Sequence, residues 1–305
     1  HYAGTTRRVN GKPVWTGTVA LAPDRKLREP LAWKKPARIF VNSMGDLFHE
    51  DVPDEWIDKV FAVMASAPQH TFQCLTKRSG RMREYMQSRL MAGPTDDESP
   101  ACDVRIMMTA MNIQKGKWAK AISWPLPNVW LGVSAERQQE ADTRIPDLLA
   151  TPAAVRFVSA EPLLGPLDLI GYDHTGPLCN AEPSRAQIEG PNGAYFVRHG
   201  ASRLDWIICG GESGPGARPM NPAWARSVRD QCETAGVAYF HKQNGEWATH
   251  STVSPPTCDD WGLRYDVMHF DTSGNGENTV YRVGKRRAGR LLDGIEHNAM
   301  PGSQS

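Results

Sequence analysis

Six short apolar runs punctuate the chain, at Arg38–Asn42, Thr71–Thr76, Asn128–Ser134, Val155–Ser159, Trp206–Cys209 and Val237–His241. Each is too short for a helix, and the pattern predicts strands buried on both faces. Helical patterns lie between them. Pro53 opens one, with Asp54, Glu55 and Asp58 near its start and Trp56, Ile57, Val60, Phe61 and Met64 along one apolar face. A second follows Arg78, through Met82, Tyr85, Met86 and Leu90. A third spans Glu136–Ala150, and Pro146 predicts a kink or break in it. The last has Asn221 as N-cap, Pro222 at the first helical position and Gly236 at a left-handed C-terminal position.

Alternating strands and helices imply parallel strands joined by crossover helices. Nearly every run ends in a polar cluster. The clusters are Asn42, Ser43, Asp46 and His49; Thr76, Lys77 and Arg78; Ser134 and Glu136; Ser159 and Glu161; Gly210 to Ser213; and His241, Lys242 and Gln243. A barrel builds its site from many strand ends on one rim, whereas an open sheet concentrates it at one switch point. The distribution therefore favours a TIM-like (β/α) barrel over residues 1–245. Met91–Trp124 and Asp168–Arg203 interrupt the alternation as two long insertions. Residues 246–305 form a small C-terminal addition, in which Trp261–Phe270 and Thr279–Val283 predict antiparallel strands ahead of the basic stretch Lys285–Arg290.

Composition narrows the class without naming a reaction. Hydrophobic residues make up 40% and charged residues 23%, as in a globular protein. No apolar stretch approaches the ~18–20 residues of a membrane span, so no membrane partner is expected. Net charge is +1, but residues 1–90 carry 15 basic against 9 acidic residues. That asymmetry only weakly favours an anionic ligand near the N-terminal part. Cys74, Cys102, Cys179, Cys209, Cys232 and Cys258 are widely spaced, with no CxxC or zinc pattern, so no metal ligands are expected among them. Such cysteines suit a reducing cytoplasm. Phosphate-loop, dinucleotide, GxSxG and HExxH signatures are absent.

Each strand-end residue has a structural alternative. Ser134 and Ser159 can cap the following segments, Glu136 can be an exposed helix-start acid, His49 a surface residue and Lys242 a solvated one. Glu161-Pro162 holds its carboxylate in extended backbone at a strand mouth, because proline disfavours helix at the preceding residue. Gly210-Gly211-Glu212-Ser213 is the most specific segment. Its glycines would let the backbone approach a ligand, while Glu212 and Ser213 supply polar contacts. A cavity so lined would hold a polar ligand with charged ends, Lys77 or Arg78 pairing an anion and Glu212 an ammonium.

Taken in order, Arg38-Ile-Phe-Val-Asn-Ser-Met-Gly-Asp-Leu-Phe-His49, Leu75-Thr-Lys-Arg78, Trp130-Leu-Gly-Val-Ser134 and Arg156-Phe-Val-Ser-Ala-Glu-Pro-Leu-Leu-Gly-Pro166 form a distinctive set. With Ile208-Cys-Gly-Gly-Glu-Ser-Gly214 and Ala288-Gly-Arg-Leu-Leu-Asp-Gly294, they resemble the phage-borne gene product thirty-seven or sixty-eight family. That family looks like a divergent branch of the radical S-adenosylmethionine barrel proteins, with no assigned substrate. The resemblance implies S-adenosylmethionine as cofactor. It also implies an upstream strand and three-cysteine motif holding a [4Fe–4S] cluster, which this chain does not contain. His1, rather than Met, leads to the expectation of an upstream truncation, leaving a partial barrel with an exposed strand edge. This chain alone is then expected to be inactive.

By the same resemblance Gly210, Gly211 and Glu212 are similar to a Gly-Gly-Glu that contacts the methionine amino group. Asn42, Ser43, Ser134, Ser159, Ser213 and Gln243 are further cofactor-contact candidates. Lys77 would hold a carboxylate or substrate anion. The expected substrate is unknown, with nucleotide or nucleic acid reasonable for a phage setting. Two other functions stay open: a non-enzymatic nucleic-acid-binding accessory protein, and a cluster-free enzyme using Glu161 and Glu212 as acid and base.

Overall fold

The computed structural model describes residues 4–91, 101–102, 104–113, 123–169, 203–249, 266–270 and 278–302. In chain order its elements begin with β1 (Thr6–Val9), β2 (Lys12–Trp15), α1 (Asp24–Leu27), a 3-10 turn (Glu29–Ala32), β3 (Arg38–Val41), α2 (Asp54–Ala65) and β4 (Thr71–Thr76). Next come α3 (Ser79–Ser88), β5 (Leu90–Met91), β6 (Ala101–Cys102), α4 (Val104–Ile113), β7 (Val129–Ser134), α5 (Gln138–Leu149) and β8 (Val155–Ala160). The rest are β9 (Trp206–Gly210), α6 (Pro222–Ala235), β10 (Ala238–Gln243), β11 (Trp247–Thr249), β12 (Val267–His269), β13 (Thr279–Arg282) and α7 (Lys285–Ala288).

The six apolar runs are β3, β4, β7, β8, β9 and β10. They form one parallel sheet in the order β10-β9-β8-β7-β4-β3, the strand arrangement of a partial (β/α) barrel. β11, β13 and β12 make a separate antiparallel sheet, as expected of the C-terminal addition. Much of both long insertions lies outside the described residues. Within the first, β5 pairs with β6 and α4 follows. The β1–β2 hairpin is an addition to the expected elements. Asn10 and Gly11 both have positive φ, the conformation a tight hairpin turn of this kind requires.

The chain divides into two compact units. The first comprises residues 1–130 and 152–154, the second 131–151 and 155–305. In the first, Phe61 packs against Tyr85 and Trp124 at ring distances of 5.4 and 5.2 Å, and Trp124 donates its indole N–H to Met86 O. β3 departs from the expectation of burial on both faces. It is the last strand in the sheet order and leaves Phe40 45% exposed.

In the second unit Phe157 and Trp206 pack at 5.8 Å among Leu131, Val133, Ile207 and Val228, all buried. α6 starts and stops where its sequence signals place it. Asn221 Oδ1 accepts from Ala223 N at 2.9 Å, and Gly236 adopts φ +63°. α5 is not broken at Pro146; it runs continuously from Gln138 to Leu149. Ile145, Leu148 and Ala141 are buried along one face, and that packing holds the helix through the lost amide. Among the described residues no helix is long and apolar enough to cross a membrane.

Candidate functional site

The second unit gathers its polar groups where β7, β8, β9 and β10 end. β7 ends in Ser134, and Glu136 lies two residues on. Arg144, one helical stretch away on α5, donates to Ser134 O (2.8 Å), Ser134 Oγ (3.1 Å) and Glu136 Oε2 (3.2 Å). Glu136 is therefore not the exposed helix-start acid that its position suggested. It is buried and ion-paired. Ser159 at the end of β8 is also buried, and its carbonyl accepts Ala135 N.

Glu161 follows β8 and is the centre of the arrangement. Its Oε2 accepts Lys242 Nζ and its Oε1 accepts Gln243 Nε2, each at 2.8 Å, both partners coming from β10. Gln243 Nε2 also reaches Gly211 O at 3.1 Å. The Glu161 side chain is 14% exposed and that of Lys242 54%, so the pair has one dry and one wet member. Glu212 follows β9 and is held by Arg218. Nε and Nη2 of the guanidinium lie 2.8 and 3.0 Å from the two carboxylate oxygens, and Arg218 N adds a third bond at 2.8 Å. These donors hold the Glu212 carboxyl below its usual range, so it is anionic at neutral pH. Glu136 contributes a second favourable charge to Arg218.

Gly210 and Gly211 have a packing reason that the sequence did not disclose. A Cβ on Gly211 would lie 2.3 Å from Asn244 O, and one on Gly210 would crowd Gln243 O and the Glu161 carboxyl at 3.2 and 3.4 Å. Gly211 N donates to Gln243 O at 2.8 Å. The glycines thus admit the close approach of the β10 end. Ser213 stands exposed beyond them.

Among the predicted site residues, Glu161, Gly210, Gly211 and Gln243 are in mutual contact, Glu212 and Ser213 continue the same loop, and Ser134 belongs to the Arg144 group. Residues missed from the sequence are Arg144, Arg218 and Lys242 as carboxylate partners, together with Asn244 and Glu246. The spacing Glu136-x7-Arg144 was a visible signal, since it places the cation on the helix that follows its strand; Arg218 carried none.

Asn42, Ser43 and Lys77 belong to the first unit. Asn42 has φ +58° and accepts Gly45 N through its carbonyl, a turn conformation that asparagine tolerates. Ser43 and Lys77 are exposed. The organiser there is Asp46, which accepts from Phe48 N, Thr76 Oγ1, Lys77 N and Arg78 Nη1. A cavity of about 660 Å³ abuts this region, lined mostly by apolar side chains including Phe40, Leu47, Trp56 and Phe72.

Cys74, Cys209 and Cys232 are buried free thiols, the last two close enough to interact electrostatically. Desolvation pushes the thiols of Cys74 and Cys209 up to about 12, and that of Cys232 upward as well. Among the described residues no group of three or more His, Cys, Asp or Glu is placed to hold a metal ion.

Residues 2–301 match the model of a family described as "Protein of unknown function (DUF5131)". No curated protein and no solved structure matches the chain.

Proposed function

The chain belongs to that family of unknown function, and from this premise we propose that its second unit binds a small zwitterion of the S-adenosylmethionine type at the ends of β7–β10. One observation carries the reading. Three carboxylate–cation pairs, Glu136–Arg144, Glu161–Lys242 and Glu212–Arg218, stand after three consecutive parallel strands, and two of them reach solvent. Exposed ion pairs gain little from each other. They exchange readily for a ligand that brings both charges in fixed geometry. An α-amino-acid head supplies an ammonium for Glu161 or Glu212 and a carboxylate for Lys242.

The donor set fits such a head, and S-adenosylmethionine is the member of this ligand class to which the sequence resemblance points. When bound it would supply a sulfonium-activated carbon; the chain's own residues would bind and orient its methionine end. The described thiols do not fit an iron–sulfur cluster: Cys74, Cys209 and Cys232 are buried, desolvation disfavours their thiolates, and none belongs to a described group of three or more ligating side chains. The proposal accordingly includes no iron chemistry. A cluster-free acid–base reaction is less well supported: Arg218 keeps Glu212 anionic, which leaves it only the role of base, and the other carboxylate, Glu161, is already bonded to Lys242 and Gln243.

Calorimetric titration of the full chain with S-adenosylmethionine, and separately with methionine, tests the reading. Lys242→Ala and Glu161→Gln should each weaken binding by roughly tenfold or more, the scale of a charge-assisted hydrogen bond. No binding to the unaltered protein, or unchanged affinity in both variants, would overturn it.

A further inference from the structure

The cavity beside β3 lies wholly within the first unit and shares no residue with the zwitterion site. Its volume of about 660 Å³ falls inside the ~300–1,000 Å³ range of small-molecule sites. The sequence of α2 explains how it arises. Ile57 and Phe61 are fully buried, while Trp56 and Val60, one position earlier in each turn, are only half-buried and line the cavity. Ile39 and Val41 of β3 line it as well, and Leu21 and Leu27 do so from the segment before β3.

Residues 39–41 all border this space, although successive side chains of a strand point to opposite faces. One space meets three consecutive strand positions by running along the strand's edge. β3 is last in the sheet order and has β4 on its other edge, so the cavity follows the edge away from β4. Phe40 and Met44, 45% and 59% exposed, mark where it meets solvent.

The polar groups in the lining define what the cavity can hold. Asp46 already accepts Phe48 N, Thr76 Oγ1, Lys77 N and Arg78 Nη1. Lys26 Nζ lies 2.6 Å from Glu29 Oε1, and His49 Nδ1 lies 3.5 and 3.8 Å from the carboxylates of Glu50 and Asp51. Each ionisable lining group is thus compensated, and an ion entering the cavity would lose water without gaining a partner. Asn42 offers a neutral contact. It stands at the end of β3 with φ +58°, and its carboxamide bonds to no other described residue. Gly45 leaves room for that amide, since a Cβ there would come within 3.2 Å of Asn42 Nδ2. We propose that this cavity binds a neutral, largely apolar small molecule whose hydrogen-bonding group meets the Asn42 carboxamide.

Fluorescence titration of the full chain with N-phenylnaphthylamine, a neutral apolar fluorophore with a single N–H donor, tests the site. Binding should saturate at one molecule per chain. Anilinonaphthalene sulfonate, which adds a fixed negative charge to the same rings, should bind roughly tenfold more weakly or worse, because nothing in the cavity is left to pair its charge. Val60→Phe places a ring in the space and should weaken N-phenylnaphthylamine binding roughly tenfold or more. Asn42→Gly keeps the positive-φ turn, removes the amide and should weaken binding about fivefold, the scale of one neutral hydrogen bond. Thermal melting establishes that each variant is folded; if Val60→Phe is not, Val60→Met adds less bulk and should still weaken binding. Absence of saturable binding, equal affinity for the sulfonate, or unchanged affinity in the folded variants overturns the proposal. So does a dimer that forms through β3 as protein concentration rises and excludes the fluorophore, since the cavity would then belong to a second copy of the chain. None of these outcomes bears on the S-adenosylmethionine titration, whose residues lie in the other unit.

Discussion

Arg89 and Asp58 form a buried ion pair in the first unit, with Nε 2.8 Å from Oδ1 and side-chain exposures of 2% and 6%. Tyr85 donates its hydroxyl to the same Oδ1 at 2.8 Å, and the Arg89 guanidinium lies 4.5 Å over the Tyr85 ring. Arg89 also reaches Asp54 Oδ2 at 3.1 Å, which joins α2 to the end of α3. Removing one partner would strand a charge in the interior. Asp58→Ala is expected to destabilise the fold by about 3–5 kcal/mol in denaturant unfolding. The double variant Asp58→Leu with Arg89→Leu should lose less than Asp58→Ala alone. A double variant at least as unstable would show that the pair itself, not the orphaned charge, dominates.

The β9 end makes a sharper steric prediction. Gly211→Ala places a methyl 2.3 Å from the Asn244 carbonyl oxygen, and neither neighbour is a flexible side-chain tip. Overpacking of this kind costs about 1–3 kcal/mol, and here it also displaces the turn that positions Glu212. Gly210→Ala, whose closest contact is 3.2 Å, should cost less. Thermal melting of the two variants checks the order; equal losses would contradict the packing account.

His241 gives the second unit a specific acid response. The ring is buried; it contacts the Tyr239 hydroxyl at 3.2 Å and Asn244 Oδ1 at 2.8 Å, and desolvation lowers its pKa to about 4. Facing charges are His297 and Arg290, which lower it further, and Asp293, which raises it. The folded state then binds fewer protons than the unfolded chain between about pH 6.5 and 4. Stability is full above about 6.5, falls as pH drops through that window, and levels off below it, with a loss on the order of 3 kcal/mol at most. His241→Gln should flatten this window in a pH series of unfolding free energies. An unaltered slope would assign it elsewhere, His297 being the next candidate because its pKa is also depressed by burial.

The parallel strands were legible because apolar runs such as Thr71–Thr76 and Trp206–Cys209 are bounded by residues that cannot continue them. Asn221-Pro222 and Gly236 fixed α6 at both ends for equally local reasons. The site was only half legible. Glu161 and Glu212 announce themselves by position, but their partners Lys242 and Arg218 depend on how β10 and the 214–218 loop return to the rim. The glycines at 210 and 211 carry a signal with two sources, since close approach to a ligand and close approach to another backbone demand the same residue, and the sequence does not disclose the contact with Asn244. The break that Pro146 suggests does not occur, for the converse reason: burial of Ile145 and Leu148 outweighs one missing hydrogen bond.

Arg218 and Glu212 give the prediction that separates ligand exchange from mere structural pairing. The guanidinium occupies both carboxylate oxygens, so an incoming ammonium must displace it. Arg218→Ala removes that competitor and leaves a carboxylate with solvent access, its side chain being 28% exposed beside the guanidinium. The Glu212 carboxyl loses its principal pKa-lowering partner and moves back toward the ordinary carboxylate range, still anionic at pH 7. Methionine or S-adenosylmethionine should therefore bind Arg218→Ala at least as tightly as the unaltered protein, while Glu212→Gln weakens binding severalfold. If Arg218→Ala abolishes binding and Glu212→Gln does not, Arg218 is itself the anion contact. The carboxylate of the ligand, not its ammonium, would then be the group recognised at the end of β9.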